Sequence, residues 1–405
     1  MIPEGWKKYR IEDICDVVGG GTPERSRSDF WNGCIPWVSP TEVTSLSGRY
    51  IEKTKEYISD EGLARSSAKL LPVGTVLMTS RASIGYPAIN SVPMTTNQGF
   101  QSLKCREKVY NEYLYQLILF VRPELEKMSA GSTFQEISST NVKAIKLLLP
   151  PLPEQKKIAS ILTSVDEVIE KQEAQISKLQ DLKKAMMQEL LTKGIGHTEF
   201  KDSPVGMIPK GWEVVRLGKY VKLQGGYAFK SENFTDKGVP VVRISNISKS
   251  GDVDLSNAAF HDEINISEAF EVSHSDSLIA MSGATTGKVG RYNFREKAYL
   301  NQRVGKFVSK GMVEMSYIHH VVSSSSFTEK LLIDAIGGAQ PNISGGQIEG
   351  VEIAFPPLDE QKNISSILDS IDNAVGAKQL KLMHIKSLKK SLMQDLLTGK
   401  VRVMV

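Results

Sequence analysis

Cysteine, aromatic residues and long apolar runs are all scarce in this 405-residue sequence. The cysteines are Cys15, Cys34 and Cys105, all in the first half and without CxxC spacing. That argues against a disulfide framework and against a structural zinc site. The longest apolar-looking run, Tyr113 to Val121, contains Gln116 and falls far short of the ~20 residues a membrane helix needs, so no membrane association is expected. The opening "MIPEGWKKYR" has no apolar signal core, which points to the cytoplasm. An excess of one charge is missing too, since 50 Lys and Arg face 46 Asp and Glu. No block of like charge forms an arm or tail, so any phosphate-binding surface must be assembled by folding. The histidines are scattered, and the adjacent pair His319-His320 reads as part of a surface helix rather than a metal site. No metal is expected.

Catalytic signatures are absent as well. "SGATTGKVG" (Ser282 to Gly290) resembles a phosphate loop only superficially. A Walker loop needs four residues between Gly and Gly-Lys, then Ser or Thr. Here three residues separate Gly283 from Gly287, and Val289 follows Lys288. A loop that places small hydroxyls, Lys288 and Arg291 against an external polyanion fits better. "GGGTPERSR" (Gly19 to Arg27) has the same character, with an ordinary surface turn as its plain alternative. No amino-methyltransferase motif, no glycine-rich cofactor fingerprint and no Ser/His/Asp set stands out. The chain carries no recognisable catalytic centre and no cofactor site.

What the sequence does contain is itself, twice. "PPLPEQKKIASIL" (Pro150 to Leu162) returns as "PPLDEQKNISSIL" (Pro356 to Leu368), identical at ten of thirteen positions and displaced by 206 residues. "IPEGW" (Ile2 to Trp6) returns as "IPKGW" (Ile208 to Trp212), and "KKAMMQELLTKG" (Lys183 to Gly194) as "KKSLMQDLLTGK" (Lys389 to Lys400). Between these anchors the halves diverge, apart from echoes such as Asn97-Gln98 and Asn301-Gln302. A period this long is a duplicated domain pair rather than a solenoid unit. The parts that stay alike do one job twice, and the parts that differ do different jobs.

After each Pro-Pro the apolar residues follow a helical seam. They fall at Ile158, Leu162, Val165, Ile169, Ile176, Leu179, Met186 and Leu190, and again at Ile364, Leu368, Ile371, Val375, Leu382, Ile385, Leu392 and Leu396. The steps are mostly alternating fours and threes, as a coiled coil requires. Polar breaks coincide too, with Gln172 matching Lys378 and Lys183 matching Lys389; such breaks fix register at a cost in stability. Pro153 suits a first helical turn, Asp359 an N-cap, and Gly194 and Gly399 the stops. Glu154 and Glu360 suit the positive helix end, so "EQK" reads as capping rather than as a nuclease motif. The two helices pair with each other or each packs on its own globule. "NEYLYQLILFVRPELEKM" (Asn111 to Met128) reads as a helix that Pro123 should kink or divide, with Met315 to Leu332 as its counterpart. The runs "GTVLMTS", "SLIAMSG", "AIKLLLPP" and "GVEIAFPP" read as strands.

The predicted fold class is α+β. Two mixed α/β domains are each followed by a long helix, and the helices pair as an antiparallel coiled coil with an internal pseudo-twofold repeat. The segments are 1–150, 151–195, 196–355 (a linker and the second domain) and 356–405.

Two divergent globules, two matched helices and no active site make a reader and scaffold. The duplicated "IPEGW/IPKGW", "PLPEQKKIASIL/PLDEQKNISSIL" and "LLTKG/LLTG", with "SGATTGKVG" and "NQRVG", resemble the specificity subunit of type I restriction–modification systems over nearly the whole chain. That resemblance implies two target-recognition domains, each reading one half of a split, asymmetric double-stranded DNA sequence. It implies helices that hold the readers inverted at a fixed spacing. It also implies two methylation subunits docked on the repeated helices, with restriction subunits joining them. S-adenosylmethionine, ATP and Mg²⁺ would then belong to partner subunits only. Phosphate contacts hold such a protein on DNA, whereas base-edge contacts carry sequence information. Arg25, Arg27, Arg81, Lys230, Lys288, Arg291 and Arg303 are phosphate candidates, and any Arg could instead read guanine. Asn97, Gln98, Asn246, Asn301, Gln302 and Gln340 are candidate readers, with Asn342 beside Gln340 in a turn-rich segment. Thr22, Tyr227, Arg243 and Thr285 complete the expected DNA-binding set. Two readings compete with recognition: a coiled-coil scaffold without a restriction role, and a self-contained DNA-modifying enzyme, which the missing motifs disfavour.

Overall fold

Each repeat closes by pairing a strand near its start with its last strand. In the computed structural model, which describes residues 2–129, 135–248, 251–333 and 342–404, Lys7–Arg10 runs antiparallel to Lys146–Leu149 with Lys7 opposite Leu149. Glu213–Arg216 pairs in the same way with Glu352–Phe355, Glu213 opposite Phe355. The apolar runs before each Pro-Pro are therefore final strands, as expected. By compactness the residues group into two units, 1–176 with 378–405, and 177–377. Each unit thus holds one globule and part of both long helices, a grouping that differs from four consecutive segments.

Within each globule the strands form two further sheets. The first has a five-stranded and a three-stranded sheet, the second two four-stranded sheets. Val76–Met78 and Ser277–Ala280 are buried at every position, which explains the apolar runs Val76–Met78 and 278–280; the buried Ser277 hydroxyl bonds His319 Nδ1 at 3.0 Å. One pairing defines the shared topology. Trp31–Val38 lies parallel to Thr95–Thr96, with Val38 opposite Thr96, and Val239–Val242 lies parallel to Ala298–Leu300, with Val242 opposite Leu300. Cys15 and Cys105 face each other across an antiparallel pair as free thiols.

The helix expected to kink or divide at Pro123 is not divided, and its counterpart is. Asn111–Met128 runs as one helix through Pro123. Its counterpart, which has no proline, is the one that breaks, into Met315–Val322 and Ser325–Ile333. Hydroxyls cause that break by competing for backbone groups. Ser324 Oγ donates to Val321 O at 2.7 Å and accepts from Phe327 N at 3.2 Å, ending one helix and capping the next. The pair His319-His320 is also not on a surface, because the two are 4% and 0% exposed.

The long helices run Leu152–Lys193 and Leu358–Leu397. Asp359 lies inside the first turn rather than at the N-cap. None of the sixteen seam residues is exposed. Ile158 and Leu162 sit in the first core with Leu396, and Ile364 and Leu368 in the second with Leu190. Both packing alternatives therefore hold at once, since each helix start serves its globule and the other helix. In the first unit the run is antiparallel: Asp166 meets Lys389 at 2.6 Å, Glu173 meets Lys386 at 2.7 Å, and Gln175 accepts from Lys378 at 2.7 Å. The polar breaks find each other, as Gln172 donates to Lys378 O at 3.5 Å. In the second unit Lys183 meets Asp372 at 2.6 Å, the counterpart of Asp166 with Lys389.

The repeated motifs converge at one junction per unit. Trp6 Nε1 donates to Glu154 Oε2 at 3.1 Å, and the Arg402 guanidinium grips the same carboxylate at 2.7 and 2.9 Å. In the second unit Trp212 Nε1 donates to Glu360 Oε2 at 2.9 Å, while Ile195 N (3.0 Å) and His197 Nε2 (2.8 Å) hold Oε1. These glutamates anchor a tryptophan rather than cap the helix. The neighbouring glutamine closes the helix start: Gln155 donates to Pro150 O and Gln361 to Pro356 O, both at 2.9 Å. Gly194 and Gly399 end the helices with φ of 68° and 72°. A Cβ there would lie 2.4 Å from Glu360 Oε1 and 2.5 Å from Pro3 Cγ respectively, so each stop strongly favours glycine.

Candidate nucleic-acid interface

The expected contact residues gather at one loop edge in each globule, with exceptions. In the first, Gly21 N donates to Thr96 O (2.9 Å), Asn97 N to Val38 O (3.0 Å), Ser80 N to Gly99 O (2.8 Å) and Ile137 N to Ser80 O (2.9 Å). These bonds bring Thr22, Asn97, Gln98 and Arg81 together. A Cβ on Gly99 would lie 3.0 Å from Asn97 Oδ1 and 3.7 Å from Arg81 Cβ. Thr22 Oγ1 bonds Gln98 Oε1, Asn97 Oδ1 accepts from Gly99 N at 2.8 Å, and Arg81 pairs with Glu136 at 2.9 Å.

The second globule repeats this frame. Tyr227 N donates to Leu300 O (2.8 Å), Asn301 N to Val242 O (3.1 Å), Met281 N to Arg303 O (2.9 Å) and Ile343 N to Met281 O (2.8 Å). Tyr227, Asn301, Gln302, Arg303 and Asn342 gather here. Thr285 joins them through a bond to Ile244 O at 3.2 Å, beside Arg243. Gln302, Arg303 and Asn342 are exposed and Lys288 half-buried, and their side chains have no hydrogen-bond or ion-pair partner among the described residues. Polar groups so presented are open to an external partner. Gln340 lies outside the described residues.

Other predicted residues are occupied. Arg25 pairs with Glu56 and stacks 3.9 Å over Trp31. Arg27 pairs with Asp29 at 2.6 Å and lies over Phe30, and exposed Lys230 stands 3.9 Å from Glu232. Arg243 donates to Asn257 O at 3.2 Å. Two assignments need correction. Asn246 is 3% exposed, accepts from Arg243 N at 3.0 Å and donates to Asp254 O at 2.9 Å. Its amide is buried and closes a turn, which turns it away from a base. Arg291 is anchored away from the edge, with Nη1 on Asp369 at 2.9 Å and Nη2 on Ser316 at 2.8 Å.

The glycine-rich loop spends its own donors. Thr286 N bonds Gly283 O, Gly287 N bonds Ala280 O and Lys288 N bonds Thr285 O. Three successive amides are thereby committed, so this backbone is no phosphate cradle.

Sequence reasoning missed the polar network that ties the second globule to its helix. Asp369 accepts from Arg291, Ser316 and, at 2.9 Å, His320 Nε2. Burial raises the Asp369 pKa, but those bonds outweigh it and hold the carboxyl well below its usual range. Burial keeps both His319 and His320 below their ordinary value. His320, Asp369 and Asp372 lie close enough to share a metal ion. Arg291 and Lys183 already supply the cations for those two carboxylates. In the first unit Gln116 occupies the matching place and donates to Asp166 at 2.7 Å. No motif announces this network, because Asp369 lies 49 to 78 residues from the side chains that donate to it.

Comparison with known proteins agrees with the duplicated frame. The family described as "Type I restriction modification DNA specificity domain" matches residues 3–180 and again 209–386. Among curated proteins, the MjaVIII specificity subunit of a Methanocaldococcus jannaschii type I restriction enzyme is 30% identical over 99% of this chain and 94% of its own length. The MjaIX specificity subunit of the same organism is 27% identical over 99% and 95%. Among solved structures, the S subunit of a type I restriction–modification system from M. genitalium superposes with a TM-score of 0.63 at 15% identity, covering 100% of this chain and 97% of that one. A chain from a structural study of type I complex assembly gives 0.57 at 19% identity, covering 99% and 100%.

Proposed function

The chain belongs to the type I restriction–modification DNA specificity family, and from that premise we propose that its two globules read the two halves of a split, asymmetric DNA sequence. It acts as the recognition subunit of a methylation and restriction complex. One observation carries the reading: the same loop frame is built twice from nearly the same backbone hydrogen bonds, and its exposed side chains differ. A duplicated frame with unlike side chains is what two unlike half-sites require.

Catalysis belongs to the partners in this reading. S-adenosylmethionine, ATP and Mg²⁺ serve the methylation and restriction subunits, and this chain contributes position and sequence choice. Two methylation subunits fit because the helical surface is repeated. Leu182 and Leu388, 206 positions apart, are 48% and 55% exposed and offer the same apolar foothold twice. Among the described residues no helix is long and apolar enough to cross a membrane. We place the complex in the cytoplasm, where its DNA target lies.

Methylome sequencing in a host that expresses the cognate methylation subunit, with and without this gene, tests the assignment. A bipartite methylated motif should appear only with the gene. Methyl transfer or DNA cleavage by the purified chain alone would contradict the non-catalytic role.

A further inference from the structure

The reading edge separates positions that build the frame from positions that differ on it. Asn97 and Asn301 stand at the same place, as do Gln98 and Gln302. Identical amides offer identical donor and acceptor patterns, so they cannot make two halves read different bases. Different side chains stand at other matched places. Ser80 and Met281 each accept the backbone bond from the isoleucine that follows the bridge, Ile137 or Ile343. The next residues are bridged across that strand end, Arg81 with Glu136 in one reader and Ser282 with Asn342 in the other.

The chemistry presented there differs in a definite way. Arg81 Nη2 lies 3.0 and 2.9 Å from the two Glu136 oxygens, and the side chains are 45% and 38% exposed. An ion pair this exposed contributes little to folding, about 0–1 kcal/mol. It does set an Arg donor fork beside a carboxylate acceptor. A G·C pair shows the complementary pattern in the major groove: guanine N7 and O6 accept, and cytosine N4–H donates. In the second reader the Ser282 hydroxyl is buried, which leaves the exposed Asn342 amide. One amide donates and accepts at once, the pattern that adenine N7 and N6–H complete.

Resting on the DNA-reading assignment above, we propose that Arg81 with Glu136 reads a G·C pair in one half-site and that Asn342 reads an A·T pair at the corresponding place in the other. The bridge is common to both readers, and its side chains choose the base pair.

The test uses the full chain assembled with its methylation subunits and a pool of duplexes randomised across the motif, at fixed salt. Arg81→Ala should lower discrimination at a single G·C position of one half-site by roughly tenfold or more. Every other position should keep its wild-type preference, which also reports that the variant is folded. Asn342→Ala should do the same at a single A·T position of the other half-site. The double variant Arg81→Ser with Glu136→Asn should move the first position from G·C toward A·T. If Arg81→Ala instead weakens binding to all duplexes equally and flattens the salt dependence, Arg81 is a phosphate contact and the proposal is overturned. An unchanged motif in Arg81→Ala or Asn342→Ala overturns it as well. A wild-type complex with no bipartite preference would overturn the underlying assignment, an outcome visible before any variant is examined.

Discussion

The two junctions and the two reading edges meet opposite demands of chemistry, and the contrast explains the molecule. At the junctions side chains repeat along with backbone: Trp6 and Glu154 in one unit, Trp212 and Glu360 in the other. At the reading edges the backbone frame and the Asn-Gln pair repeat, but the bridge side chains differ, Arg81 with Glu136 in one unit and Ser282 with Asn342 in the other. A contact that holds each globule to its helix in the same way uses the same atoms twice. A contact with different bases needs the same scaffold and different atoms.

The frame itself is the first place to break the comparison. A Cβ on Gly20 would lie 1.8 Å from Asn97 O, and one on Gly226 would lie 2.2 Å from Asn301 O. Backbone cannot yield at that distance. Gly20→Val should therefore remove reading of one half-site and Gly226→Val reading of the other, each lowering specific affinity on the order of a hundredfold or more. Binding to duplexes that vary one half at a time distinguishes the two.

The junctions should respond alike. Trp6→Phe and Trp212→Phe each remove a hydrogen bond to a carboxylate while keeping most of the ring. Each should cost about 1–3 kcal/mol in denaturant titration. A large loss from one and none from the other would break the equivalence of the two clamps.

These contrasts were legible in the sequence to different degrees. The 206-residue offset, the helical seam and the final strands were readable because they rest on local periodicity and on identity between copies. The Trp–Glu clamp was not, since its members are 148 residues apart and only folding joins them. Asn246 resembled a loop amide free to read a base; burial and two backbone bonds make it a turn-closing group. Pro123 suggested a break that fell instead at the serine run of the other copy, where hydroxyls offered the backbone alternative partners. Of the reading edge, the sequence revealed Asn97-Gln98 and Asn301-Gln302 because they repeat, and gave no sign of the bridge because its side chains do not.

A smaller difference lies behind the edges, where His320 and Gln116 hold matching places. Burial keeps His320 below its ordinary value of 6.5 despite Asp369. The unfolded chain therefore takes up the proton first, so the stability is fully present above about pH 6.5 and is lost as pH falls below it. Protection factors across residues 315–322, with the intrinsic pH dependence of exchange divided out, should fall between about pH 7.5 and about pH 5.5. His320→Gln should reduce that dependence, while residues around Gln116 stay indifferent to pH.

The smallest expected effect concerns the interhelix ion pairs. Lys389 and Asp166 are each 16% exposed, whereas Lys183 and Asp372 are 24% and 31% exposed. Lys389→Met should therefore destabilise more than Lys183→Met, by up to about 1 kcal/mol. Matched thermal melts of the two variants provide the check.

The central claim is that one frame, built twice, reads whatever its side chains dictate. The most direct test replaces residues 1–150 with a copy of residues 206–355 and sequences the methylome of a host carrying the cognate methylation subunit. The account predicts that both halves of the motif then carry the bases of the second half-site. A motif that keeps its original first half, or one altered in both halves, would contradict it.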